Sequence, residues 1–115
     1  CRSLLNSNGI LVIFTPNYDS LSVYAMKELS NIIAPPAHLI YFNKKSVQLL
    51  SEKSNLEIIY YRTCGTDIGD LKSFYEWEKE YEMALACNKL YDIVQPVVDE
   101  ADAGNHIRFI LRNKL

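Results

Sequence analysis

The sequence predicts an α/β fold, on three observations. Residues 10–15, Ile-Leu-Val-Ile-Phe-Thr, are an apolar, β-branched run without polar alternation, the pattern of a strand covered on both faces of a mostly parallel sheet. Two further strand-like segments, residues 56–63 and 107–112, each follow stretches whose apolar residues recur at helical three- and four-residue steps. At 115 residues the chain holds one core, so residues 1–115 are read as a single domain.

Taken in order, Leu4 and Leu5 precede Asn6-Ser7-Asn8-Gly9, where Gly9 is expected to close a helix in the left-handed conformation. Pro16-Asn17 stops the first strand. Tyr18-Asp19-Ser20 supplies turn and cap chemistry for a helix through Leu21, Tyr24, Met26 and Leu29. Pro35-Pro36 ends that helix, because the residue before a proline is pushed to extended backbone. After the short apolar stretch Leu39-Ile40-Tyr41-Phe42, Asn43 caps a helix bearing Val47, Leu49 and Leu50, with Asn55 near its end. Residues 56–63, partly polar, are placed near the sheet edge. Thr66 or Asp67 caps a long helical segment on which Leu71, Phe74, Trp77, Tyr81 and Leu85 recur. Leu90, Ile93, Val94, Val97 and Val98 continue it, and Pro96 is expected to kink it or start a new turn, giving a hairpin or a bent helix. Gly104-Asn105 ends it before the closing strand.

Composition excludes several functions. The formal net charge is -2 and the basic residues are scattered, so no stripe is present to neutralise a phosphate backbone, and nucleic acid is not an expected partner. Cys1, Cys64 and Cys87 are odd in number, far apart and without a C-x-x-C pair. That argues against a disulfide framework or a metal site and for a reducing, cytoplasmic setting. The longest apolar run falls far short of the roughly 20 residues that span a bilayer, so no membrane partner is expected.

Three strands are few for this many amphipathic helices, and a bare apolar edge at residues 10–15 invites association. The chain is therefore expected either to form a homodimer or to associate with neighbouring strands from a missing N-terminal half. Cys1-Arg2-Ser3-Leu4-Leu5 reads as the last turn of a helix already under way, which fits a partial domain.

Gly9 to Tyr18, in which Thr15-Pro16-Asn17 follows the apolar strand, resembles the fifth-strand signature of class I S-adenosylmethionine-dependent methyltransferases. Pro35-Pro36-Ala37-His38-Leu39-Ile40-Tyr41-Phe42-Asn43, with Ser46, Leu49 and Leu50 behind it, is similar to a Pro-Pro-x-His-Leu-x-x-Phe segment in one broad group of these enzymes. The resemblance covers residues 4–66. Ser54-Asn55-Leu56 departs from it where the family tends to have Gly-Phe, and residues 67–105 look like a helical insertion. It implies the C-terminal part of a Rossmann-like methyltransferase sheet. Residues 10–15, 56–63 and 107–112 would be its strands 5, 6 and 7, the last antiparallel between the other two. It also implies methyl transfer from S-adenosylmethionine to a small-molecule acceptor, with this part forming the acceptor side. The Gly-rich loop and the acidic strand end that hold the cofactor in the family are not in this sequence, so the chain by itself is expected to be inactive.

Methyl transfer from a sulfonium is an in-line displacement, in which the protein chiefly orients the acceptor and excludes water. Thr15 and Asn17 follow the carboxyl end of a strand, where ligands of open α/β sheets gather. By resemblance they bind substrate; the alternative is a strand terminator and an Asx-turn. His38 by resemblance lines the acceptor pocket as a catalytic base, its ordinary pKa of about 6.5 suiting proton transfer from a hydroxyl. The alternative is a histidine hydrogen-bonded to the Pro35-Pro36 link. Tyr18 and Tyr41, with Phe42, wall the pocket or join the core. His106 is set aside because it starts the closing strand. Asp67 and Asp70 are read as helix-opening charges and Glu76, Glu78, Glu80 and Glu82 as a solvated face. Phe74, Trp77 and Tyr81 are read as packing, or as a lid. The competing function is a non-catalytic assembly module that dimerises through its strand edge.

Overall fold

The computed structural model describes residues 1–114. Its strands β1 (Ile10–Pro16), β2 (Leu56–Cys64) and β3 (His106–Asn113) form one sheet in the order β1-β3-β2, with β3 antiparallel to both neighbours. β1 and β2 are thus parallel, and β3 lies between them. The helices are α1 (Leu21–Met26), α2 (Lys44–Lys53), α3 (Asp67–Trp77) and α4 (Tyr81–Glu100). The chain is α/β, with strands where strand chemistry placed them and β2 at an edge.

Local chemistry sets most boundaries. The Ser20 hydroxyl accepts from the Val23 N–H at 3.3 Å to open α1. Asn43 and Ser46 form a reciprocal capping box at the start of α2, with the Ser46 N–H donating to Asn43 Oδ1 at 2.9 Å and the Asn43 N–H to Ser46 Oγ at 2.8 Å. Asn55, at φ 52°, takes the left-handed position after α2.

Four expectations are corrected. Gly9 has no positive φ, and only one 3-10 turn, Arg2–Leu4, precedes β1. Pro96 does not break α4, which runs through it to Glu100; the hairpin turns instead at residues 78–80, where Lys79 has φ 63°. That turn removes Glu78 and Glu80 from any continuous helical face. Thr66 stands at the N-cap of α3 without a side-chain cap bond, and Asp67, the first helical residue, is fully buried.

The fourth concerns β1, which is covered on one face only. Leu11 and Ile13 join Ile107, Phe109 and Leu111 of β3 and Leu56 of β2 in a core covered by Val47 and Leu50 of α2. On the other face Ile10, Val12 and Phe14 are 54%, 59% and 57% exposed, and they pair with Arg112, Ile110 and Arg108 of β3. A second core lies between α3 and α4, with Ile68, Leu71 and Val98 packed on Met26 of α1. α4 carries a further apolar stripe, Met83, Leu90, Ile93 and Val97, that is exposed. Glu100, the next position along that stripe, is ion-paired to Arg62 on the bare sheet face. The uncovered stripe of the helix thus ends beside the uncovered sheet face.

Candidate functional site

The antiparallel register brings Pro16, His106 and Cys64 side by side, so the carboxyl ends of β1 and β2 and the first residue of β3 share one edge. Ligands of open α/β sheets collect at such an edge. Here the polar side chains of this chain concentrate.

Asn17, 1% exposed, closes β1. Its Nδ2 donates to the carbonyls of Gly104 at 2.8 Å and Asp102 at 3.2 Å, and its Oδ1 accepts from the Asp19 N–H at 3.1 Å. The amide is wholly engaged inside the fold, as the Asx-turn alternative requires. Thr15 lies on the covered face with Leu11 and Ile13 and pairs with Ile107, away from the bare face. Tyr18, Tyr41 and His38 do come together. Tyr18 and Tyr41 have ring centroids 6.2 Å apart, and His38 meets Tyr41 edge-on at 6.3 Å. The Tyr41 hydroxyl accepts from the Ala34 N–H at 3.0 Å, tying the aromatic group to its loop. Tyr18 also borders a cleft of about 410 Å³ with Val23, Tyr24 and Ile33, and with Lys27 and Glu28 at its rim. His38 is exposed, and its backbone N–H bonds the Ala34 carbonyl at 3.2 Å. No side-chain bond ties it to the proline link among the described residues.

A second group at the same edge was not anticipated. The buried carboxylate of Asp67 accepts from the Ser22 N–H (3.1 Å), the Asn105 N–H (2.8 Å) and Gln95 Nε2 (3.2 Å), joining α1, β3 and α4 to the start of α3. Gln95 Nε2 also donates to Asp99 at 2.9 Å, and its Oε1 accepts from the Ile68 N–H at 2.9 Å. Asp70 accepts from Asn105 Nδ2 (2.6 Å), Asn31 Nδ2 (3.1 Å) and the Thr66 hydroxyl (3.2 Å). Asp67 and Asp70 stand in the first turn of α3, as read from the sequence, and in addition they cross-link elements. His106 Nδ1 lies 2.8 Å from Asn105 Oδ1, and its ring stacks on Phe14 at 4.8 Å and 4°.

Burial pushes Asp70 and Asp99 above the usual carboxylate range, against the hydrogen bonds that each accepts. Burial also lowers the basicity of His106, outweighing Asp67 and Asp70, which favour its charged form; His38 adds slightly to the lowering. The net effect favours the neutral ring. No group of three or more His, Cys, Asp and Glu among the described residues is placed to hold a metal ion. Among the described residues no helix is long and apolar enough to cross a membrane. No family model, no curated protein and no solved structure matches this chain.

The glycines do not cradle a ligand. A Cβ on Gly65 would lie 2.3 Å from Asn105 Oδ1, and one on Gly104 would lie 2.5 Å from Asp99 Oδ1. The space beside each of these two backbones is filled by the polar network, so neither glycine opens onto a ligand. Asn105 and His106 were legible in principle: an antiparallel closing strand must begin where its parallel neighbours end.

Proposed function

We propose that this chain is the acceptor-side, C-terminal portion of an S-adenosylmethionine-dependent methyltransferase acting on a small molecule, and that the cofactor is held by chain outside it. The strand order carries the proposal. Two motifs at residues 9–18 and 35–43 imply a closing strand antiparallel between the other two, and the sheet is β1-β3-β2 with β3 in that place. The bare face of Ile10, Val12 and Phe14 supports it further, since an apolar strand of this type is normally covered on both sides. In this reading Tyr18, Tyr41 and His38 orient the acceptor, while Asn17 and Asn105 hold the strand ends that present them. In this reading the cofactor cradle lies in chain outside these 115 residues.

Calorimetry with S-adenosylhomocysteine tests the reading. The 115-residue chain is expected to give no saturable heat, and the protein extended upstream to complete the sheet is expected to bind. Saturable binding by the chain alone, or none by the extended protein, refutes it.

The same bare face also favours a second reading, an assembly module that dimerises without catalysis. It predicts a concentration-dependent dimer in sedimentation equilibrium that Val12→Lys abolishes.

A further inference from the structure

His106 has no part in the function proposed above, yet its surroundings orient its ring nitrogens, whereas His38 has only an aromatic neighbour. Asn105 Nδ2 lies 2.6 Å from Asp70 Oδ2. A carboxylate oxygen accepts, so the amide group facing it must be the donating NH₂. The amide oxygen therefore faces His106, and the Thr66 N–H, 3.4 Å from that same oxygen, selects the same orientation. An amide oxygen has no proton to give. The 2.8 Å contact thus requires the hydrogen on His106 Nδ1, and in the neutral ring this leaves the lone pair on Nε2.

The support behind the ring is rigid. Asn105 is 1% exposed, its N–H donates to Asp67 Oδ1 at 2.8 Å, and its carbonyl accepts from the Asn17 N–H at 2.8 Å. Asp70 is held in turn by Asn31 and Thr66. Phe14, parallel to the imidazole at 4.8 Å, fixes the plane of the ring. Nε2 has no hydrogen-bond partner among the described residues.

We propose that His106 is a proton acceptor at this edge, with Asn105 and Asp70 as its positioning residues, and that it takes the proton of a hydroxyl or ring N–H on the small-molecule ligand. The X–H bond breaks, its electron pair stays on the heteroatom, and the proton forms a bond to Nε2. The resulting imidazolium keeps its Nδ1–H on Asn105 and gains the attraction of Asp67 and Asp70, both of which favour its charge. The charge of His38 is the opposing one. The proposal rests on the methyltransferase reading only for what the freed electron pair goes on to attack.

Two measurements on the 115-residue chain test it. In long-range proton–nitrogen NMR of histidine-labelled protein near neutral pH, His106 is expected as the Nδ1–H tautomer with a bare Nε2. Asn105→Ala is expected to convert it to the Nε2–H tautomer or a mixture, and Asp70→Asn, which permits the amide to turn, to give a mixture. The ligand probe is 4-nitrophenol, whose conversion to phenolate is read by absorbance. Wild type is expected to raise the phenolate fraction saturably, and His106→Gln is not.

An Nε2–H tautomer in the wild type, no phenolate increase with the wild type, or an undiminished increase with His106→Gln overturns the proposal. Failure of the upstream-extended protein to bind S-adenosylhomocysteine removes the methyltransferase reading alone. The two can thus fail separately.

Discussion

Replacing Asp67 tests whether the edge network is structural cement as well as a functional frame. Its carboxylate is fully buried and accepts three donors, two of them backbone N–H groups of Ser22 and Asn105 that no water can reach. A hydrogen bond to a charged group contributes about 1.5–3 kcal/mol, and orphaning a buried donor costs its desolvation as well. Asp67→Asn keeps one oxygen, which serves Asn105 and Gln95 where Oδ1 now does. Its NH₂ then faces the Ser22 N–H, donor against donor. The expected loss is about 2–3 kcal/mol. Asp67→Ala removes every acceptor and leaves both backbone donors buried, so about 4 kcal/mol or more is expected, close to the whole stability of many single domains. The assay is urea unfolding followed by circular dichroism, comparing midpoints at constant slope. Losses below about 1 kcal/mol for both variants, or an alanine no worse than the asparagine, refute the reasoning.

Gly65→Ala is expected to cost about 3 kcal/mol in the same assay, because the new Cβ sits 2.6 Å from the Asn105 backbone nitrogen. Gly69→Ala, inside α3 and 3.0 Å from the edge of the Tyr91 ring, is expected to stay within about 1 kcal/mol, since helix propensity offsets the contact. Stability against pH has two opposed limbs. His106 has a folded pKa below its ordinary 6.5, so its contribution is present above that value and is lost as the pH falls through the folded pKa. Asp70 and Asp99 have folded values above 3.8, so theirs are present below it and lost as the pH rises through the folded values. The curve should dip in the mildly acid range, with His106→Gln flattening the neutral limb and Asp99→Asn weakening the acid one; a curve unchanged by either sinks the assignment. Val12→Thr, on the bare face, is expected to change the stability of this chain by less than about 0.5 kcal/mol. In an upstream-extended protein that covers the face, the same hydroxyl should cost about 1–3 kcal/mol, and equal effects in both contexts argue against the cover.

The fold was legible because its signals are local. β-branched runs marked all three strands, and Ser20, Asn43 and Asn55 marked helix boundaries by side-chain chemistry that acts within a few residues. What misled were features whose meaning is tertiary. Pro96 reads as a break, yet α4 continues through it, with Gln95 and Val98 on either side buried. The turn came at Lys79, which carries no sequence mark for a positive φ. Residues 10–15 read as a strand covered twice, and the register then divides them into a covered face and a bare one. Periodicity reports what a strand is suited to, and the chain present covers one side of it.

The site was less legible for a related reason. Asn17 and Asp67 sit at positions where Asx-turns and helix starts are common, so local chemistry explains them in sequence. Only long-range contacts, from Asn17 to residues 102–105 and from Asp67 to Ser22, Gln95 and Asn105, show what those groups hold. His106 inverts that case. Nothing beside it in sequence suggests chemistry, but strand order alone puts it at the edge where β1 and β2 end, and the direction of one amide then fixes which of its nitrogens is basic. A histidine defined by topology and a single hydrogen-bond orientation is a sharper chemical object than the exposed His38, whose ring has only an aromatic neighbour to direct it. If the edge performs chemistry on a small molecule, the group whose proton is already placed is the one equipped to begin it.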